Sequence, residues 1–412
     1  MKTQMRYVRE RPAKERPPRP ITPLASGTVI AKGHRIEEVL GSGGFGITYK
    51  VRRPQGGFLA MKEYCPRDSA SRKRNSIVPL PRRKTDFQSG YDYFRNEAET
   101  LRRLPEHPNI VRVEALFEKF GTIYMLMEYI EGLPLSDVIR QGGLPQNEGL
   151  RDFLGESASA LWFLHDHNVM HADIKPQNIM IRPDSNQPVL IDFGAVRDLS
   201  KPDQKVEILT EGYAPIEMAQ QRLDQMGPWS DIFSLGMVGY FLATGKRPVP
   251  AQARAKKLLK GEPDPMTPCV DARRPEIEDG LARVIDACTA FDPTERPLSG
   301  EMLIGLLTGD RTRRASRGAF GQPTRLVPEQ IAQSIEVIHF QVVTPAQPEA
   351  RPIETQWEEL PEIPPDRLVA EPVPQSRSRS SRARFSAKLV AALVLAFFAC
   401  IVGAVIYASA TS

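Results

Sequence analysis

Apolar positions recur at strand and helix spacing from about Ala25 to Leu307, and the recurrence stops at Gly309. Two β-branched and aromatic runs, Ile47-Thr-Tyr-Lys-Val51 and Phe58-Leu-Ala-Met-Lys62, flank the turn Pro54-Gln-Gly-Gly57 and predict a hairpin. Ile123-Tyr-Met-Leu126, Ile179-Met-Ile181 and Val189-Leu-Ile191 predict further strands. Between these groups the period changes. Phe94, Ala98, Leu101 and Leu104 form the inward stripe of a helix. Residues 309–386 carry ten prolines and several Arg/Ser runs, with a short helical pattern only over Pro328–Ile338; this composition predicts a disordered tether. The pattern ends in Leu389–Tyr407, nineteen residues without charge or proline. A helix of that length spans about 28 Å, the hydrocarbon thickness of a bilayer, and a transmembrane helix is expected there.

Composition adjusts this picture in two places. A chain of 412 residues with 41% hydrophobic and 25% charged positions suits two to three folded units or one bilobal unit with tails. The net charge of +5 conceals two basic ends, residues 1–20 and 376–388, and the remainder is acidic. That excludes a uniformly basic nucleic-acid binder. Met1–Pro20 is basic and Pro-rich without an apolar core, so it reads as a disordered arm and not as a secretory signal. Arg377, Arg379, Arg382, Arg384 and Lys388 precede the apolar run, which places everything before it in the cytoplasm by the positive-inside rule. With five residues after the span, signals are expected from the cytoplasmic side or through helix association, for which Ala399, Gly403 and Ala404 offer small contact residues for a homodimer. Four scattered cysteines form no CxxC pair and fit a reducing compartment.

The candidate chemistry begins at Leu40, Gly41, Ser42, Gly43, Gly44, Phe45 and Gly46, a G-x-G-x-x-G segment. Such a segment is weak by itself, because glycines at this spacing mark many tight turns. Here it enters a hairpin and not a helix, which lets backbone N–H groups close over phosphates. Lys62, at the end of the second strand, would add a fixed positive charge.

From this point the chain resembles the protein kinase superfamily, most closely bacterial eukaryote-like serine/threonine kinases, over about residues 28–308. Leu59-Ala-Met-Lys62, His171-Ala-Asp-Ile-Lys-Pro-Gln-Asn178, Asp192-Phe-Gly194 and Tyr213-Ala-Pro-Ile-Glu217 follow one another in the family's order, with Asp231 and Arg296 as later landmarks. The resemblance implies an α+β, bilobal protein-kinase fold: a small β-rich N-lobe and a larger helical C-lobe. The expected division is a basic disordered arm (1–27), the kinase domain (28–308), a disordered linker (309–388), the transmembrane helix (389–407) and a short external tail (408–412).

The resemblance also implies roles. Asp173 would be the catalytic base and Lys175 would meet the γ-phosphate. Asn178 and Asp192 would hold Mg²⁺ (or Mn²⁺) with ATP, and Lys62 would pair with an acid from the following helix. Glu97 and Glu99 both qualify by position, and family alignment favours Glu97. The adenine would meet backbone in Met127, Glu128, Tyr129 and Ile130. Met127 would act as gatekeeper, Leu40, Ala60 and Met180 would form the apolar sandwich, and Thr48 would lie where a valine is usual. Protein substrates with Ser or Thr are implied.

Three departures from the family pattern carry expectations. Ala172 stands where an Arg usually pairs with a phosphorylated activation segment, so phosphorylation there is not expected to be required. Ile216 replaces the proline of A-P-E, while Glu217 remains to pair with Arg296. Lys62 and Glu97 are 35 residues apart, with the excess in Pro66–Lys84, which holds seven Lys/Arg and one Asp. Two readings of that stretch stand: a solvated basic loop, or a docking site for anionic lipid or an acidic partner. The alternatives to an active kinase are a nucleotide-binding pseudokinase scaffold and a small-molecule phosphotransferase. The complete Lys62, Asp173, Asn178 and Asp192 set disfavours the first, and Lys175 with Thr210–Glu217 the second.

Overall fold

In a computed structural model, residues 21–200, 210–310 and 322–325 are described. The chain divides into the units Met1–Val369 and Ala370–Ser412, and every described residue lies in the first. The expected membrane span lies outside the described residues, as do most of the arm and tether. Among the described residues no helix is long and apolar enough to cross a membrane.

The first lobe is built on β1 (Arg35–Ser42), β2 (Gly46–Arg52) and β3 (Phe58–Tyr64). It continues through the hairpin β4 (Ala70–Lys73) and β5 (Ser76–Pro79), α1 (Lys84–Arg103), β6 (Val113–Lys119) and β7 (Thr122–Glu128). Five strands form one antiparallel sheet in the order β1-β2-β3-β7-β6. In β2, Ile47, Tyr49 and Val51 are buried while their neighbours are partly exposed, the period-2 signature of a half-buried strand. Buried from Thr122 to Met127, β7 explains why Ile123–Leu126 reads as an unbroken apolar run. One face of α1 carries buried Phe87, Phe94, Ala98 and Leu101, and the helix packs against β6 and β7.

The second lobe follows with β8 (Leu133–Pro134), α2 (Leu135–Arg140), α3 (Asn147–Asp166), β9 (Val169–Met170), β10 (Ile179–Ile181), β11 (Pro188–Leu190) and β12 (Arg197–Asp198). Then come α4 (Ile216–Ala219), α5 (Pro228–Thr244), α6 (Ala251–Leu258), α7 (Cys269–Ala272), α8 (Asp279–Cys288) and α9 (Gly300–Thr308). All seventeen residues of α5 are buried, and α3 and α8 pack against it. At about 1.5–3 kcal/mol for each fully buried large apolar side chain, this helix contributes substantially to the lobe's hydrophobic stability. Short strands β8, β10 and β11 form a ribbon in the order β11-β10-β8, and β9 pairs with β12. These two ribbons hold the loops that carry the chemistry.

Two expectations need correction. Residues 21–27 are not part of a disordered arm: Ile21 and Leu24 are 6% and 3% exposed, and the Leu24 amide donates to the Tyr49 hydroxyl. Nor is Pro66–Lys84 a solvated loop. Its middle is the β4–β5 hairpin, and Lys84 already begins α1. Composition could not show this, because Arg72 is an internal residue whose charge is matched by Glu63 inside the lobe at 2.5 Å.

Candidate active site

The β2–β3 register places Thr48 opposite Lys62, and β3–β7 places Ala60 opposite Met127. Gly46 pairs with Tyr64, and a Cβ there would lie 2.3 Å from the Glu63 carbonyl oxygen. Only glycine allows the loop to close so tightly on β3. The tip is turned by a bond from the Gly43 amide to the Gly46 carbonyl. Gly41, Ser42, Gly43 and Phe45 are exposed, and Gly44 partly so.

Lys62 Nζ lies 2.6 Å from Asp192 Oδ1 and 3.4 Å from Glu97 Oε1. Glu99, the other acid considered, is on the surface with Arg103 at 3.3 Å. Helical phase decides between them, since two residues rotate a side chain by more than half a turn. Burial works against charge on Lys62, yet the Asp192 and Glu97 carboxylates outweigh it and hold the ammonium above the usual lysine range. Burial likewise pushes the Asp192 carboxyl up, but Lys62 brings it down to about 2. Burial raises Glu97 against the pull of Lys62. Lysine and Asp192 therefore stand as a fixed ion pair at neutral pH.

Asp173, 8% exposed, sits at the centre of a second cluster. Its Oδ1 accepts from the Thr210 hydroxyl at 2.6 Å, and its Oδ2 from Asn178 Nδ2 and Lys175 Nζ, both at 2.8 Å. Lys175 also reaches Thr210 Oγ1 at 3.0 Å, and Asn178 donates to the Asp173 carbonyl at 2.9 Å. The Asn178 amide thus uses its NH₂ on Asp173, leaving its carbonyl oxygen as the available ligand atom.

The loop bearing Asp173 is held from below. Asp231, fully buried, accepts from the His171 and Ala172 amides at 2.9 and 2.8 Å and meets His165 Nε2 at 2.8 Å. Ala172 takes φ 63° and Asp192 φ 56°, left-handed conformations that cost on the order of 1 kcal/mol or more each in non-glycine residues. The two amide bonds to Asp231 over-determine the first of these. His171 packs on Phe193 in a tilted contact, 4.4 Å between ring centres, which joins the Asp173 loop to the Asp192 loop.

The segment Tyr213–Glu217 closes on a buried pair. Arg296 meets Glu217 at 2.7 Å, both side chains are fully buried, and Ser230 Oγ donates to Glu217 at 2.8 Å. Arg296 completes its donors on the Ala290 and Phe291 carbonyls.

The residues expected to meet adenine are less gathered. Ala60, Met127 and Ile130 are buried in the core cluster, Met180 packs against it, and Leu40 is 43% exposed. The Glu128 side chain is taken by Arg182 at 2.8 Å and its amide donates to Arg112. Two contributors escaped the sequence reading. Tyr93, one helical turn before Glu97, donates its hydroxyl to the Val196 carbonyl at 3.1 Å, and Arg67 binds the glycine loop. The one available signal for Tyr93 was its i−4 spacing from Glu97.

An Mg²⁺ fits this donor set. Asn178 supplies an amide oxygen and Asp192 an ionised carboxylate with 48% of its side chain exposed, and hard cations bound to nucleotide take few protein ligands. Among the described residues no cluster of three or more His, Cys, Asp or Glu forms an all-protein metal cage.

Fold and site together define a bilobal phosphotransferase domain. Residues 34–304 match the family described as "Protein kinase domain", and the chain belongs to that family. It is 30% identical over 303 residues to "Serine/threonine-protein kinase C" of Synechocystis, covering 70% of this chain and 51% of that protein. It is 32% identical over 289 residues to "Serine/threonine-protein kinase PknA" of Nostoc, covering 67% and 47%. The chain thus spans about half the length of the curated relatives it matches. The solved structure "PpkA-294 apo form" superposes with TM-score 0.61 at 31% identity, over 69% of this chain and 99% of that one.

Proposed function

We propose that this chain is an active serine/threonine protein kinase that transfers the γ-phosphoryl group of ATP to protein hydroxyls. The observation that carries this reading is the convergence of Thr210, Lys175 and Asn178 on the Asp173 carboxylate beside the Lys62–Asp192–Glu97 chain. A substrate hydroxyl entering at Asp173 gives up its proton to that carboxylate. Its oxygen bonds to the γ-phosphorus, the bond to the β-phosphate oxygen breaks, and ADP leaves. Thr210 and Lys175 orient Asp173, and Lys62, fixed by Glu97, supplies charge to the nucleotide phosphates. Bound Mg²⁺ (or Mn²⁺), held by Asn178 and Asp192, would neutralise charge developing on the phosphates.

The test is transfer from labelled ATP to the chain itself and to a generic protein acceptor. Asp173→Asn should lower turnover by about 10²–10⁴-fold while MgATP still binds. Nucleotide binding without transfer by the native chain would identify a pseudokinase scaffold instead.

Membrane tethering is part of the proposal. Leu389–Tyr407 supports a single span with the kinase domain on the cytoplasmic face of the inner membrane. Carbonate-resistant sedimentation that disappears when 389–407 are deleted would bear this out, and release of the full chain by carbonate would refute it. Lys73, Arg74, Arg82 and Lys84 are exposed and could meet anionic headgroups from a tethered domain, whereas Arg72 cannot.

A further inference from the structure

The stretch that lengthens the connection between Lys62 and Glu97 makes ordered contact with the glycine loop. Its base is fixed in four places. Arg72 meets Glu63 through two nitrogens at 3.0 and 2.5 Å, and Glu63 also accepts from Tyr49 at 2.8 Å and Tyr124 at 2.6 Å. Arg72 Nε donates to the Thr22 carbonyl at 2.6 Å, which ties in the segment preceding β1. The Ile77 amide donates to the Phe120 carbonyl at 2.7 Å, beside Gly121, where φ is 70° and a Cβ would lie 2.6 Å from the Ile77 oxygen. The turn leading into the hairpin is closed by bonds from the Ser69 and Ala70 amides to the Pro66 carbonyl.

Arg67 projects from this rigid base. Its amide donates to the Gly44 carbonyl at 3.0 Å, and its guanidinium donates to Ser42 Oγ at 3.0 Å and the Ser42 carbonyl at 3.4 Å. One residue before the intervening proline, the Cys65 amide donates to the Phe45 carbonyl at 3.0 Å. Three of the four loop positions 42–45, all but Gly43, are therefore held from the 65–67 segment.

We propose that Arg67 is a positioning residue for the phosphate-binding loop, and that the basic insertion is a brace that holds this loop closed over nucleotide phosphates. The proposal rests on the kinase reading above. A glycine-rich loop loses much conformational freedom when it closes on a ligand. Bonds that already restrain Ser42 and Gly44 lower that loss and tighten binding of anything the loop must cover. Adenosine, which lacks phosphates, gains nothing from the brace.

The experiment compares MgATP and adenosine binding by calorimetry on the full chain, native and Arg67→Ala. The expected result is MgATP weakened by about 3–10-fold, the worth of a modest net hydrogen bond, with adenosine affinity unchanged. Arg67→Lys, which retains one donor head, should recover part of the loss. Ser42→Ala added to Arg67→Ala should weaken MgATP no further than Arg67→Ala does, because both remove one interaction. Equal affinity of native and Arg67→Ala chains for MgATP would overturn the proposal, as would an equal loss for both ligands, the sign of general damage to the lobe. Failure of the native chain to bind MgATP would instead overturn the kinase reading and this proposal with it.

Discussion

The Tyr93 hydroxyl donates to the Val196 carbonyl at 3.1 Å, joining α1 to the backbone four residues beyond Asp192. Tyr93 lies one turn from Glu97 on the same helix, so this bond fixes the rotation that brings Glu97 to Lys62. The link is neutral and needs no phosphate, which matches the alanine at 172 where a phosphate-binding Arg would otherwise sit. Tyr93→Phe should lower kcat by about 3–10-fold through loss of a net hydrogen bond. Steady-state kinetics at saturating MgATP measure this, and an unchanged kcat would show that the helix is held by packing alone.

Ser200 and Thr210 should respond oppositely to removal of their hydroxyls. Among the described residues the Ser200 hydroxyl donates to Asp198, two positions earlier, at 2.5 Å, in an exposed turn. Ser200→Ala is expected to stay within about 2-fold of native turnover, in keeping with the small effects of exposed substitutions. Thr210 bonds both Asp173 and Lys175, so Thr210→Ala should cost about 10–100-fold in kcat, the range for bonds to charged groups. Thr210→Ser should recover most of it. Abolition of turnover by Ser200→Ala would contradict a phosphorylation-independent active state.

Glu217 and Arg296 form an ion pair without access to water, and losing one partner strands the other. Glu217→Gln or Arg296→Met should each destabilise the domain by about 3–5 kcal/mol. Chemical denaturation curves measure this. The Glu217→Gln/Arg296→Met double variant should lose less than the sum of the singles, because no unpaired charge remains.

Acid sensitivity should begin near pH 6.5 and trace to His171. Its Nδ1 accepts from the Asp173 amide at 3.3 Å while its Nε2 donates to the Ile191 carbonyl at 3.3 Å, a pattern only the neutral ring satisfies. Burial lowers its pKa from 6.5, against the pull of Asp231, Asp173 and Asp192. The unfolded chain then binds more protons below pH 6.5, so stability falls as pH drops through that value, by at most about 1.4 kcal/mol per pH unit from this group. Burial of His107 acts in the same direction. Urea midpoints at pH 7.5, 6.5 and 5.5 should fall less steeply in His171→Asn, and parallel slopes would refute the assignment.

Several parts of this architecture were legible in advance because they are local. The turn between Val51 and Phe58, the apolar stripe of α1 and the unbroken apolar strand at 123–126 follow from backbone conformational preference and burial period. The order of Lys62, Asp173, Asn178 and Asp192 along the chain was enough to name a chemistry. The insertion at 66–84 was not legible, because a run of Lys and Arg looks the same whether solvated or matched by an internal carboxylate. Glu63 lies nine residues before Arg72, and nothing between them announces the pairing.

Residue order and local periodicity were therefore enough to place the central strands of the first lobe, the α1 stripe and the strands around residues 179–191, and to set out the candidate polar groups in order. Folding in three dimensions decided the rest: Glu97 over Glu99, Tyr93 on Val196, Arg67 on Ser42, and Asp231 beneath the Asp173 loop. Those contacts join positions up to 103 residues apart. Their strength depends on distance and exclusion of water, and neither is written in the order of residues along a chain.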